Sequence, residues 1–364
     1  MTDTLFTIQE HNKYNAYDKL YPKTHASLIV NPPQATGARI DVLCLPVSAG
    51  IVVNLSGQKT ASATTDSSGK CSFEGLDYGE YTISATIGGS EKSETIIVDA
   101  SKIYDVSLGI ISKTLNDYSW TEISAVSASG NAANLFSVGD TKSIVLNGTV
   151  GETTFDNLKI DAYILGINHN AEVEGNNRIH FCIGEINNKT VGLIDNQYNQ
   201  YPMTSSGYFS MSYGESDTNS GGWEGCYMRS TIMPAIKDAL PTDLQNVLKT
   251  VTKYTDNTGG GDGSDSSYVT STTETICLEA EFEVQGVITY ASSYEQNKQK
   301  QYDYYKNGNS KIRYKYNNTN SAVFWWNRSP FSDNSNHFCN VYTDGTAGFD
   351  TSRACAAVAP CFYV

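Results

Sequence analysis

The chain has 364 residues, of which 39% are hydrophobic and 18% charged, the balance of a globular protein and not of a disordered one. A formal net charge of −14 argues against nucleic acid as the main partner, because a phosphate backbone is neutralised by Lys and Arg. The length predicts two or three domains. The 24 Tyr and 30 Gly predict a β-rich, loop-rich protein.

The first segment, residues 1–36, has too few apolar side chains to bury a core. Pro22 and the pair Pro32-Pro33 prevent a continuous helix, so we expect an extended leader that docks on a neighbouring protein. Its start, Met1 to Ile8, lacks the basic and apolar regions of a signal peptide, and we expect cytoplasmic synthesis. The element LYPKT (20–24) resembles the leaders of phage tail-fibre and baseplate proteins.

The second segment, residues 37–111, alternates apolar and polar residues, as in Ile40, Val42 and Cys44, and predicts successive strands. A turn is expected at Asp66 and Gly69, after which Phe73 and Leu76 point into a core. The string from Thr65 to Ile83 resembles carboxypeptidase-regulatory-like, or prealbumin-like, sandwiches related in shape to immunoglobulin domains. That resemblance implies an all-β spacer or adhesion module without chemistry of its own.

The third segment, residues 112–364, mixes strand and helix patterns and predicts an α+β domain. Strands are expected at 158–167, 179–183 and 278–284, and the last would place Glu279, Glu281 and Glu283 on a solvent face. Helical spacing begins after Arg229 and resumes after Pro241 with four apolar residues, Leu244, Val247, Leu248 and Val251. The glycine-rich stretch 258–267 predicts a flexible loop.

Catalytic and metal-binding patterns are weak in this sequence. The five histidines never fall at ligand spacing, and the eight cysteines form no C-x-x-C pair, so we expect buried free thiols and neither metal nor cofactor. The even count of cysteines permits disulfides without demanding them. Asp262, Asp265, Asp333 and Asp344 could ligate calcium but lack an EF-hand register. No serine-hydrolase elbow, Walker loop or Rossmann fingerprint occurs, and we expect no enzyme.

Two segments carry candidate binding surfaces. A basic, tyrosine-rich stretch runs from Lys298 to Lys315, and it is either a site for an anionic polymer or a solvated strand pair or loop. The C-terminal stretch instead places apolar and aromatic residues in a recurring frame and fills the gaps with Asn, Ser, Asp and His. The predicted frame is Trp223, Arg229, Trp325, Trp326, Arg328 and Phe362. The predicted receptor-binding residues are Asn327, Phe331, Ser332, Asp333, Asn334, Asn336, His337, Asn340, Tyr342, Asp344, Phe349, Asp350 and Ser352.

Several spaced motifs carry a family resemblance over nearly all of residues 112–364. They are FDNLKI (155–160), ILGINH (164–169), GGWEGCYMR (221–229), QYDYY (301–305), WWNRSP (325–330) and VAPCF (358–362). The chain resembles a domain-of-unknown-function family found in phage tails and bacterial surface proteins. That family is similar to the C-type-lectin fold in the variant shared with formylglycine-generating enzymes, whose cysteine chemistry this sequence does not reproduce.

The resemblance implies a phage tail receptor-binding protein that is carried on the virion and recognises a protein or glycan on a bacterial surface. It implies a multidomain chain: an immunoglobulin/prealbumin-like sandwich, then a C-type-lectin-like domain, in a homotrimer docked on other tail or baseplate proteins through its N-terminus. Some proteins of this fold are varied by diversity-generating retroelements, and the stretch from Asn327 to Ser352 has a matching composition, although Asn-rich loops occur throughout the chain. The alternative is a bacterial surface adhesin or carbohydrate-binding protein with the same modules.

Overall fold

The computed structural model describes residues 10–11, 17–18, 37–45, 47–87, 89–109, 114–202 and 207–364. The chain divides into two compact units, Met1–Ser112 and Lys113–Val364, one residue from the predicted junction of the second and third segments. Strands hold 40% and helices 17% of the structure, so the protein is multidomain and mostly β. Most of the predicted leader lies outside the described residues; within it, β1 (Glu10–His11) pairs antiparallel with β2 (Tyr17–Asp18).

Two sheets are formed by the described residues from 37 to 109 of the first unit. Their strands are β3 (Arg39–Cys44), β4 (Val52–Gly57), β5 (Ala61–Thr64), β6 (Lys70–Glu74), β7 (Gly79–Ile87), β8 (Ser90–Val98) and β9 (Ile103–Leu108). One sheet has the order β6-β3-β9 and the other β5-β4-β7-β8. Strand β9 runs parallel to β3, whereas the other pairs in both sheets are antiparallel.

The alternation predicted for this unit is confirmed. Ile40, Val42 and Cys44 are buried while the residues between them are partly exposed, because successive side chains of a strand point to opposite faces. Phe73 and Leu76 are buried as predicted. The turn before β6 is held by Asp66, whose carboxylate accepts the backbone N–H groups of Ser68 and Lys70.

The second unit is built around one large sheet. Its strands are β10 (Thr141–Val150), β11 (Thr153–Ile167), β12 (Ile179–Ile186), β13 (Lys189–Gly192), β14 (Val251–Asp256), β15 (Val269–Glu274), β16 (Ile276–Cys277), β17 (Arg313–Lys315), β18 (Asn318–Val323), β19 (Trp325–Pro330), β20 (His337–Val341), β21 (Ala347–Thr351) and β22 (Cys361–Tyr363). The large sheet has the order β10-β11-β12-β13-β17-β18, and β22 pairs with both β12 and β16. Strands β14 and β15 form a hairpin, and β19-β20-β21 form a three-stranded sheet.

Short helices complete this unit. They are α1 (Trp120–Ala128), α2 (Ala132–Leu135), α3 (Ala171–Glu174), α4 (Gly222–Gly225), α5 (Met233–Asp238), α6 (Thr242–Gln245), α7 (Glu281–Gln285) and α8 (Asp303–Lys306). Short 3₁₀ turns span Leu115–Asp117, Ser266–Tyr268 and Glu295–Asn297, and a π-helical turn, Met228–Ile232, leads into α5. No helix among the described residues combines the length and apolar character needed to cross a membrane.

Two sequence predictions for this unit are wrong. The helix expected to continue through Leu244 to Val251 ends at Gln245, and Val251 opens strand β14. The strand expected at 278–284 is replaced by α7, which begins at Glu281. The backbone N–H of Ala280 donates to the Glu283 carboxylate, and this contact fixes the first turn of the helix.

Candidate functional site

The loop between β19 and β20 is anchored by one buried amide. The Asn219 side chain, 1% exposed, donates through Nδ2 to the carbonyl oxygens of Phe331, Asn334 and His337, at 3.2, 2.6 and 2.8 Å. One side chain therefore holds both ends and the middle of the loop 331–337, which reduces the conformational entropy that binding would otherwise remove.

The glycine-rich stretch packs against the same loop. The N–H of Gly263 donates to the carbonyl of Ser332 at 2.9 Å, and the N–H of Gly260 donates to Asn219 Oδ1 at 2.8 Å. Gly261 has a φ of +75°, and a Cβ there would lie 2.7 Å from the backbone nitrogen of Ser335. The glycine is thus required for close backbone approach, and the stretch predicted as a flexible loop forms specific contacts.

Four partly exposed rings meet beside this loop, and we call Tyr290, Phe331, His337 and Phe349 the aromatic cluster. Phe349 is central, with ring centroids 4.9 Å from Tyr290, 4.8 Å from Phe331 and 5.3 Å from His337. These separations and tilted or edge-on orientations are favourable for aromatic pairs. The cluster therefore presents a preassembled aromatic surface at the margin of the domain.

Amide side chains border the aromatic cluster. His337 Nδ1 lies within hydrogen-bond distance of two amide oxygens, 2.6 Å from Asn334 Oδ1 and 2.7 Å from Asn336 Oδ1. Asn336 in turn donates to Asp217 at 2.9 Å. Asp333 is exposed within the same loop. Polar groups that can adapt their hydrogen bonds thus surround a rigid aromatic centre.

The predicted receptor-binding residues do not form one surface. Tyr342, 40% exposed, and exposed Asp344 lie in the turn between β20 and β21, and we call these two residues the turn patch. Five residues of extended chain separate Tyr342 from His337, roughly 17 Å, and strand alternation sends their side chains to opposite faces. The expectation that all these side chains project together is wrong, because β20 separates the aromatic cluster from the turn patch.

Four members of the predicted set are covered by protein. Asn327, Asn340 and Ser352 are 0% exposed and Ser332 is 8% exposed, so they are removed from the candidate contact set. Strands β19 and β20 are buried on both faces, and period two therefore does not bring Asn327 or Asn340 to the surface. Asp350, also in the predicted set, is partly exposed, and burial raises the pKa of its carboxyl group.

The predicted frame lies in the core with one exception. Trp223, Trp325, Trp326, Arg328 and Phe362 are all 0% exposed, whereas the Arg229 side chain is 27% exposed and pairs with Glu274 at 2.7 Å. The indole N–H of Trp326 donates to the carbonyl of Phe209 and that of Trp325 to the carbonyl of Lys311, both at 3.0 Å.

Arg328 on β19 belongs to a chain of buried charges that sequence reasoning missed. Arg328 binds Glu283 through two hydrogen bonds of 2.5 and 2.9 Å, and Lys253 bridges Glu283 at 3.0 Å and Glu174 at 2.5 Å. Burial opposes ionisation of Glu283, but Arg328 and Lys253 outweigh it and hold the pKa of its carboxyl group well below the usual range. One signal was available: an arginine inside the apolar stretch AVFWWNRSP requires a buried carboxylate partner.

The basic, tyrosine-rich segment is divided between core and surface. Tyr302, Tyr304, Tyr305 and Arg313 are buried. The hydroxyl groups of Tyr302 and Tyr305 and the guanidinium group of Arg313 form hydrogen bonds inside the domain. Lys298, Lys300 and Lys306 are exposed. The tyrosines therefore do not line a continuous exposed surface with the lysines.

Comparisons with known proteins give limited information. Residues 191–364 match the family model described as "Domain of unknown function (DUF6273)", which begins inside β13, runs to β22 and leaves out β10, β11 and β12. No curated protein matches the chain. A similar solved structure is "The Bacillus anthracis TIE protein", 11% identical, with a TM-score of 0.18 over 41% of this chain and 27% of that chain. The chain thus spans about a quarter of that protein's length, and the likeness is too weak to establish a shared fold.

Proposed function

We propose that this protein is a phage tail receptor-binding protein that recognises a bacterial surface through the aromatic cluster and the loop 331–337. The observation that carries the proposal is four partly exposed rings in mutual contact, bordered by Asn334, Asn336 and Asp333 and fixed by the buried amide of Asn219. Aromatic side chains supply contact area at low entropic cost, and amides supply adaptable hydrogen bonds.

The frame under this surface supports the same proposal. Strand β19 is held in place by its own side chains. The indoles of Trp325 and Trp326 donate to backbone carbonyls, and Arg328 pairs with Glu283. Binding constellations are most accurate when rigid elements support them, so exposed residues of the loop can vary without loss of the fold. In this proposal, the exposed and partly exposed positions between Phe331 and Asp350 are those that diversification would change.

The remaining parts of the proposal concern the other unit and the assembly. The first unit acts as a prealbumin-like spacer, with its two sheets around one apolar core, and the second is a C-type-lectin-like tip. The leader docks on tail proteins, and trimerisation multiplies weak individual sites through linkage.

Binding of fluorescently labelled protein to a panel of whole bacterial strains tests the proposal. We expect the wild type to bind at least one strain and the double variant Asn336→Ala/His337→Ala to lose binding with a nearly unchanged melting temperature, because partly exposed substitutions change stability little. The matched control is Tyr342→Ala/Asp344→Ala in the turn patch, which should bind like the wild type.

Three results would contradict this assignment. Wild-type protein that binds no strain would remove the proposed function, and full binding by the Asn336→Ala/His337→Ala variant would remove the aromatic cluster as the site. Loss of binding in the turn-patch variant alone would place recognition at the other end of β20.

A further inference from the structure

Two cysteines and a glutamate that lie far apart in the sequence meet in the core of the second unit. The Sγ atoms of Cys182 and Cys361 and a carboxylate oxygen of Glu279 all lie within 4.8 Å of one another. All three residues are at most 1% exposed. No spacing rule reveals this group, because its members lie on three separate segments.

The strand register explains why these residues meet. Cys182 on β12 is the direct partner of Cys361 on β22, and opposed residues of an antiparallel pair point to the same face. Glu279 follows β16, which pairs with the other edge of β22, so its carboxylate reaches the same position. Two strands of the large sheet and the segment that follows a third thus bring one potential ligand each to a single point.

The Glu279 carboxylate is incompletely satisfied there. Its Oε1 atom accepts from Tyr305 at 3.1 Å and lies 3.4 Å from Arg313, but Oε2 has no hydrogen-bond partner within the described parts of the chain. A buried carboxylate oxygen without a donor costs free energy. The vacant acceptor beside two sulfur atoms is the arrangement that a bound cation would satisfy.

Another buried group, His169, Glu174 and Glu283, makes a useful contrast. Its carboxylates already hold an internal cation, since Lys253 lies 2.5 Å from Glu174 and 3.0 Å from Glu283. A metal ion there would have to displace the lysine ammonium group. At the group with the two cysteines the neighbouring cation, Arg313, makes longer contacts: its Nη2 atom lies 3.2 Å from the Cys182 sulfur and 3.4 Å from Glu279 Oε1, and it leaves Glu279 Oε2 without a partner among the described residues.

We propose that Cys182, Cys361 and Glu279 bind a structural Zn²⁺ ion. Two thiolates and one carboxylate are ligand types that zinc accepts, and they supply three of the four ligands of a tetrahedral site, whose ligand atoms lie roughly 3.5–3.8 Å apart, within reach of the observed spacing. Binding requires both sulfurs as thiolates and Glu279 as a carboxylate, and any proton that these three groups carry in the metal-free protein is released to solvent. The three negative charges are then balanced by the divalent ion and the Arg313 guanidinium.

The site would join the C-terminal strand to the centre of the domain. Because its ligands are buried, the ion enters while the chain folds, and its binding free energy contributes to folding. The sequence predicted no metal, and the inference replaces that expectation. It does not depend on receptor binding, and its test is separate.

Metal analysis of the full chain, produced in zinc-supplemented medium and purified without chelators, tests the inference. We expect stoichiometric zinc, and in protein refolded with Co²⁺ instead we expect thiolate-to-cobalt charge-transfer absorption with tetrahedral d–d bands. Cys361→Ser and Glu279→Gln should each lower the affinity for the metal by at least about tenfold. Replacing a residue that only hydrogen-bonds to a metal ligand already lowers metal affinity by about that factor. The matched control is Cys339→Ser, a buried cysteine whose sulfur faces the Pro330 carbonyl, and it should retain the metal.

The wild-type cobalt spectrum keeps the test decisive if a variant fails to fold. Wild-type protein that contains no zinc, and that shows no thiolate-to-cobalt band after refolding with Co²⁺, would overturn the site. A Cys361→Ser protein that keeps its zinc would also overturn it. Peptide mapping that finds a disulfide between Cys182 and Cys361 would also overturn it, because oxidised sulfurs cannot ligate as thiolates.

Discussion

The two units of this chain build their cores by different means. In the first unit the core is apolar, and Thr65 is the buried polar residue among the residues described there. The second unit buries Glu174, Lys253, Glu283 and Arg328 as a connected group. Apolar alternation alone therefore locates a core of the first kind, whereas a core with ion pairs also depends on which charges meet in space.

The largest effect should come from breaking the buried charge chain. Glu283→Gln keeps the side-chain volume but leaves Arg328 and Lys253 without their shared carboxylate, and we expect a loss of about 3–5 kcal/mol in the free energy of unfolding. Urea denaturation measures it, with exposed Glu172→Gln as the control, expected within about 0.5 kcal/mol of the wild type. A similarly small loss for Glu283→Gln would mean that the charges are not essential to this core.

Truncating a core side chain in the first unit measures the stability that an apolar core provides. Leu55 is 1% exposed, and Leu55→Ala should cost about 2–5 kcal/mol through lost burial and a cavity. Because we expect the units to fold independently, calorimetry should show a lower melting temperature for the first unit alone. Equal shifts in both transitions would show that the units unfold together.

A smaller effect should appear in the second unit, where the free energy of unfolding depends on pH through a buried histidine. Burial and then the charge of Lys253 lower the pKa of His169 to about 3, below its usual 6.5. At pH 5 the unfolded chain binds a proton that the folded chain excludes, so this histidine's stabilisation, present above pH 6.5, is lost as the pH falls toward 3. Between pH 7 and pH 5 the wild type should lose about 2 kcal/mol more than His169→Phe, which keeps the stacking on Tyr302.

Urea unfolding of both proteins at the two pH values measures that difference. Titratable groups that lie far from His169 cancel in the comparison. Parallel pH profiles would show that His169 is protonated equally in the folded and unfolded states.

The smallest expected effect concerns the loop surface. Asp333 is exposed, and Asp333→Ala should change the free energy of unfolding by less than about 0.5 kcal/mol. A loss comparable to that of Glu283→Gln would mean that the loop is part of the core's support and not a separable surface.

The sequence predicted the first unit well and the second unit in part. Ile40, Val42, Phe73 and Leu76 followed period two to a buried face. The same rule failed at Glu279, Glu281 and Glu283, because each carboxylate has an internal partner that the local pattern cannot reveal.

For the candidate site, composition predicted the stretch from Asn327 to Ser352, but it could not tell which residues of that stretch are buried and which are exposed. Their polarity predicts Asn327 and Asn340 at the surface, but both faces of their strands are covered. Tyr290 was missed because it lies far from the loop in sequence and reaches the aromatic cluster through the tertiary fold.

Site-specific photo-crosslinking to a bound strain tests receptor recognition by the aromatic cluster most directly. A photoreactive residue at Asp333, beside the cluster, should capture a bacterial surface component. The same residue at Val145, 38% exposed on β10 and outside the β19-β20-β21 sheet, should capture none. Equal capture from Val145, or none from Asp333 on cells that bind the protein, would contradict recognition by this surface.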